Sequence, residues 1–155
     1  MATFTVLIPV DGSENSDNAF DWYVKFCHKP DNQVITYHCH EPPTLSAFSF
    51  KPKEFMQVPA EEWQSKMEAS VKEVKKLEDN YIVKGQSLKM HHKAVSENSH
   101  KPGEAICKYA KENNVDMIVM GTRGLDAIRR TVLGSVSDYV LHHSECPVSV
   151  IPLKK

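Results

Sequence analysis

Two stretches of this chain, TFTVLIPV at 3–10 and VDMIVM at 115–120, are almost continuously apolar. A strand with one wet face alternates polar and apolar residues. An unbroken apolar run belongs to a strand covered on both faces. Such strands sit in sheets sandwiched between helices, and the chain supplies the helices. DGSENSDNAFDWYVKFCHK carries Phe20, Tyr23, Val24 and Cys27 at helical spacing. QVITYHC reads as a second strand. AEEWQSKMEASVKEVKKLEDNYIVK gives one apolar stripe from Trp63, Met67, Val71, Val74, Leu77 and Tyr81, with Pro59 suited to its first turn and Gly85 to its end. QSLKMHHKAV alternates, with Leu88, Met90 and His92 on one face, as an edge strand would. PGEAICKYAKENN is a helix with Ile106, Tyr109 and Ala110 inward. SVSDYVLHH is another, with Val136, Tyr139, Val140 and His143 on one stripe, and CPVSVIP is a last short strand. The order β-α-β-loop-α-β-α-β-loop-α-β implies a parallel sheet with helices on both faces. No repeat or linker divides the chain, so residues 1–155 read as one domain. The Pro-rich segment at about 41–58 reads as a long variable loop or lid.

Composition narrows the partners. Net charge is −1, so a broad electrostatic footprint for nucleic acid is not expected, and any anion site must be local. No segment approaches the ~20 apolar residues of a membrane span. The start lacks a basic region and its apolar run breaks at Pro9 and Asp11, so it reads as a strand and not a leader. Cys27, Cys39, Cys107 and Cys146 form no C-x-x-C pair, which points to reduced thiols and a cytoplasmic protein. Eight histidines invite a metal reading. In HCH at 38–40, however, Cys39 points away from its two neighbours on a strand, and no quartet has zinc spacing.

In a sheet of this class, ligands bind beyond the carboxyl ends of the strands, where strand order reverses. Three loops leave such ends: Pro9–Ser13, His38–Pro43 and GTRGLDAIRRTVLGSVS at 121–137. The last has neither the G-x-x-x-x-G-K-[ST] nor the G-x-G-x-x-G spacing. It does read G-x-x-G-x9-G-[ST], through Gly121, Gly124, Gly134 and Ser135. With DMIVMGTRG before it, SVSDYVLHHSECPVSVI after it and VLIPVDGSE at the start, the chain resembles the nucleotide-binding branch of the universal stress proteins over nearly its whole length. The resemblance implies a three-layer α/β/α, Rossmann-like (adenine nucleotide alpha hydrolase-like) fold. Its five-stranded parallel sheet would run in order 3-2-1-4-5. ATP is implied across the three loops, and a homodimer through the last strand.

Each implied role has a plainer one beside it. Gly121 and Gly124 can serve a sharp turn through positive φ, or close approach to a phosphate. Ser135 in SVSD can cap a helix, or that N-terminus can hold a phosphate with Gly134, Ser135, Val136 and Ser137. Asp11 can cap the first helix with Glu14; the resemblance places it near the ribose or a phosphate-bound Mg²⁺. The resemblance also puts Pro9 and Val10 in the adenine pocket, the Cys39 backbone against the base, and Met120 among the nucleotide-binding residues. Arg123, inside the motif, and Arg129 and Arg130 can be solvated or can bind phosphate. Val148, Val150 and Ile151 form a short apolar edge that a two-fold partner would cover. The expected function is an adenine-nucleotide-binding stress or signalling protein with slow or no turnover. The alternatives are a Mg-dependent ATP hydrolase or nucleotidyl transferase, for which no base stands out, and a nucleotide-independent dimeric interaction module.

Overall fold

The computed structural model describes residues 3–43, 59–122 and 133–153. Most of the 41–58 loop, with Arg123, Gly124, Arg129 and Arg130, lies outside these residues. The elements are β1 (Thr5–Pro9), α1 (Glu14–Phe26), β2 (Gln33–His40), α2 (Ala60–Ser87), β3 (His91–Asn98), α3 (Pro102–Glu112), β4 (Met117–Gly121), α4 (Ser135–His143) and β5 (Val148–Ile151). The five strands form one sheet in order β3-β2-β1-β4-β5, and every pairing is parallel. This is the α/β architecture and strand order expected from the sequence.

The apolar runs explain the layers. Along β1, Val6 and Ile8 face one core with Phe20, Tyr23 and Tyr81; Leu7 faces the other with Ile106, Tyr109 and Val140. Val6, Leu7 and Ile8 are each fully buried. Each such side chain contributes about 1.5–3 kcal/mol. The helices α1 and α2 therefore cover one face, and α3 and α4 the other. Among the described residues, no helix is long and apolar enough to cross a membrane.

Two expectations about α2 are corrected. Gly85 does not end the helix; it lies buried inside the last turns. A Cβ there would sit 2.6 Å from the His92 ring, so glycine lets α2 press onto β3. The helix stops two residues later by hydrogen bonding. Met90 N–H donates to the Gly85 carbonyl and Lys89 N–H to that of Gln86, with Lys89 at φ 54°. This is a Schellman motif with lysine in the left-handed position. The strand expected from Gln86 thus begins at His91. The apolar stripe also fails at Val71, which is 64% exposed. At ~1.5 Å per residue α2 is about 42 Å long, whereas the eight-residue β3 spans about 26 Å. The helix overhangs the sheet, and its buried residues, Tyr81 and Gly85, fall in its C-terminal part.

At the other edge, Ile151 is already in the core of a single chain, at 6% exposure. Val148 and Val150 pack half-buried on the α3–α4 side.

Candidate functional site

Strand order reverses between β1 and β4, and a cleft of about 510 Å³ opens there at the carboxyl ends of the strands. Ten residues singled out from the sequence line it: Pro9, Val10, Asp11, Cys39, Met120, Gly121, Gly134, Ser135, Val136 and Ser137. Arg123 and Gly124 lie outside the described residues. Ser13, Asn15, Ser16, Tyr37, His38, His40, Glu41, Pro102 and Ile106 complete the lining.

The floor is held by backbone bonds. Val10 N–H donates to the Tyr37 carbonyl at 2.8 Å, extending the β1–β2 ladder past the last strand residue. The Val10 carbonyl accepts from His38 Nδ1 at 2.9 Å, which places that ring's proton on Nδ1. Asp11 does not cap α1. Ser13 is the N-cap, its Oγ accepting from Ser16 N–H at 3.3 Å. Asp11 Oδ1 instead accepts from both the backbone N–H and the hydroxyl of Ser13. The carboxylate is thereby fixed at the mouth of the cleft, two residues before the cap.

The glycine signature divides into two parts. Gly121 is not there for positive φ; among the described glycines that conformation belongs to Gly12, at φ 78°. A Cβ on Gly121 would lie 2.3 Å from the Asn15 carbonyl oxygen. What Gly121 supplies is close approach of two backbones, β4 against the first turn of α1. Gly134 is the N-cap of α4, and among the described residues no side chain caps that helix. Ser135 is the first helical residue and not the cap. Ser137 Oγ donates back to the Gly134 carbonyl at 2.9 Å. The first three N–H groups of α4 have no partner within the helix, and they open the helix where its dipole favours an anion. The N-terminal turn of α1 ends at the same cleft, so two helix starts converge there.

The other end of the cleft is apolar. Ile106 and Met120 belong to one buried cluster, with Cys39 and Val136 packed against it. Burial and the Glu97 partner push the Tyr37 phenol far above its ordinary value, so it stays protonated and donates to Glu97 at 2.9 Å. Burial, then Glu41, pushes the Cys39 thiol up; its Sγ donates to the Ser99 carbonyl. His38 and His40 stand side by side on the opposite face of β2 from Cys39, ring centroids 5.9 Å apart, as strand alternation requires. His40 Nε2 is bonded to Ser70 Oγ. Burial, then His38, holds the His40 imidazole below its usual value, against the pull of Glu73 and Glu41. Among the described residues, no three His, Cys, Asp or Glu side chains cluster as metal ligands.

A model of the universal stress protein family matches residues 3–152. The chain belongs to this family. It is 28% identical over 151 residues to the universal stress protein MJ0531 of Methanocaldococcus jannaschii, covering 97% of this chain and 82% of that one. The universal stress protein Slr1101 of Synechocystis is 49% identical, over 51 residues that make up 33% of this chain and 47% of the relative. Among solved structures, the hypothetical protein MJ0577 superposes with a TM-score of 0.76 at 24% identity, covering 97% of this chain and 96% of that one. A universal stress protein family protein from Arabidopsis thaliana, solved with AMP bound, superposes at 0.71 and 19% identity, covering 97% and 92%.

The His38–Pro43 loop expected at the site contributes His38, Cys39, His40 and Glu41 to the lining, and Tyr37, one residue before it, was missed. The histidines were weighed as metal ligands and given no other role at the site. Pro102 and Ile106 were also missed, although a right-handed β3–α3 connection brings the start of α3 to the carboxyl edge of the sheet.

Proposed function

We propose that the cleft binds an adenine nucleotide, ATP with Mg²⁺, and that the chain is a nucleotide-binding stress-response or signalling protein with slow or no turnover. The observation that carries this is the start of α4: an N-terminus with no side-chain cap, opened by Gly134 beside the switch point of the sheet. The volume of about 510 Å³ falls in the usual range for small-molecule sites. The family member with AMP bound supports the adenine class. In this reading the phosphates meet the backbone of Gly134, Ser135, Val136 and Ser137, and Arg123 and Gly124 of the signature are further candidates for phosphate contact. The base rests among Val10, Met120 and the Cys39 backbone. Asp11 is the hard oxygen donor for Mg²⁺. The homodimer belongs to the same proposal. It would pair through the outer backbone edge of β5 beside Val148 and Val150, since Ile151 faces inward. A monomer by light scattering at high micromolar concentration refutes the dimer and leaves the nucleotide reading intact.

The test is native mass spectrometry of co-purified nucleotide, in wild type and in Ser135→Asp. Ser135 is exposed, so the substitution sets a negative charge at the helix start without repacking. We expect ATP, ADP or AMP on the wild type and at least a tenfold loss in the variant, the ~1.4 kcal/mol scale of one charge contact. Equal occupancy in the two removes α4 from the site. A turnover near ~10 per second would make the protein an enzyme.

A further inference from the structure

Another cavity, of about 390 Å³, lies on the α3–α4 side of the sheet, between α3 and the turn that joins α4 to β5. Two of the four cysteines line it, Cys107 from α3 and Cys146 from the turn. Both are free and half-buried. Both side chains pack against the same apolar cluster on the α3–α4 side. Lys111, one helical turn beyond Cys107, is ion-paired to Glu145, the neighbour of Cys146. Ser144 Oγ donates to the Cys146 carbonyl, accepts from the Cys146 N–H and lies 3.4 Å from its Sγ. Burial, then the neighbouring Cys146, pushes the Cys107 thiol up. None of this is needed for the nucleotide cleft.

We propose that Cys107 and Cys146 are a dithiol modification site, oxidised by hydrogen peroxide to an intramolecular disulfide. One sulfur, as thiolate, attacks peroxide: an S–O bond forms, the O–O bond breaks, and hydroxide leaves to become water. The second thiolate then attacks the sulfenic sulfur. The S–S bond forms, the S–O bond breaks and a second water leaves. Two electrons pass from sulfur to peroxide, and both thiol protons end in water.

The consequence follows from chain order. The covalent loop from 107 to 146 contains β4, Gly121, Gly124, Gly134 and the first turn of α4. Oxidation therefore ties off the whole glycine signature at its two flanks, and fixes α3, whose Ile106 lines the nucleotide cleft, to the start of β5. A peroxide signal would be written onto the segment that the proposed nucleotide contacts. The dithiol chemistry itself does not depend on that nucleotide.

The experiment treats the full chain with a slight excess of hydrogen peroxide, then counts free thiols with a maleimide and maps peptides without reduction. The expected result is a loss of two labelled thiols from the initial four, a Cys107–Cys146 peptide, and a raised melting midpoint reversed by dithiothreitol. Cys107→Ala and Cys146→Ala each abolish the crosslink, and Cys27→Ala leaves it intact. A monomer carrying sulfinic acid on single cysteines, a crosslink involving Cys27 or Cys39, or a disulfide between chains overturns the proposal. The wild-type peptide map decides the matter even where an alanine variant fails to fold. Nucleotide content is measured separately, so an empty cleft with an intact crosslink refutes the nucleotide reading alone.

Discussion

Gly121→Ala is the sharpest test of how the site is built. The new methyl carbon would lie 2.3 Å from the Asn15 carbonyl oxygen and 2.7 Å from its carbonyl carbon. Ordinary contact begins at 3.4 Å, so the two backbones must part by about 1 Å. Neither yields easily. Gly121 is paired in register with Ile151 of β5, and Asn15 sits in the first turn of α1 beside its Ser13 cap. Overpacking against movable side chains costs about 1–3 kcal/mol. Against two backbones the upper end applies, about 3 kcal/mol. For a domain of this size that lowers the melting midpoint by about 6–12 °C. Thermal melts by circular dichroism, with urea titration as a second measure, read this directly. A midpoint within about 2 °C of wild type would refute the close approach. The same geometry has a corollary for binding. A bulky residue at Gly121 shifts α1 and β4 together, so lost nucleotide in such a variant says nothing about contact between Gly121 and phosphate. Ser135→Asp, which disturbs no packing, is the variant that can.

Two further effects are measurable. Lys89→Gly should raise stability by about 0.5–1 kcal/mol. It removes a lysine held at φ 54° in the helix-ending motif, less the extra entropy of glycine in the unfolded chain. A higher urea midpoint at unchanged slope confirms it, and an unchanged midpoint counts against the left-handed assignment. Stability should also fall on acidification. Burial holds His92, His28 and His40 below the usual histidine value. The unfolded chain then binds more protons than the folded one as pH drops through about 6.5. Their contribution is complete above that pH and is lost below it. The urea midpoint should therefore be lower near about pH 5.5 than near about pH 7.5. His92→Gln, which keeps a polar partner for Thr36, should flatten that slope; an unchanged slope removes His92 from the account.

The fold was legible because periodicity encodes burial. Continuous runs at 3–10 and 115–120 mark strands covered twice, and these are the central pair of the sheet. Boundaries were less legible because a helix end is written in hydrogen bonds as much as in residue types. Gly85 looked like a stop signal, yet Lys89 makes the left-handed turn and Gly85 makes the contact with His92. Val71 looked like core because a stripe can be read from sequence, while the length of the sheet beneath it cannot. The site was legible as a set of loops. Its far wall was not, since Ile106 and His38 reach the cleft only through the packing of α3 and the end of β2.

The glycine signature shows why motif and mechanism should be separated residue by residue. Gly121 is required by packing whether or not a nucleotide binds: Asn15 leaves no room for a side chain. Gly134 answers to a different demand. It opens α4 with no side-chain cap, and the Ser137 hydroxyl that could have turned toward the first N–H groups donates to the Gly134 carbonyl instead. Among the described residues that helix start has no side-chain cap, so its first N–H groups are open to water or a ligand. A side-chain cap from Asn, Asp or Ser at that position would add only about 0.3 kcal/mol over glycine. In the proposed nucleotide site, anion contact would therefore fall to Gly134 and the turn that follows it, while Gly121 serves the close packing of β4 on the first turn of α1.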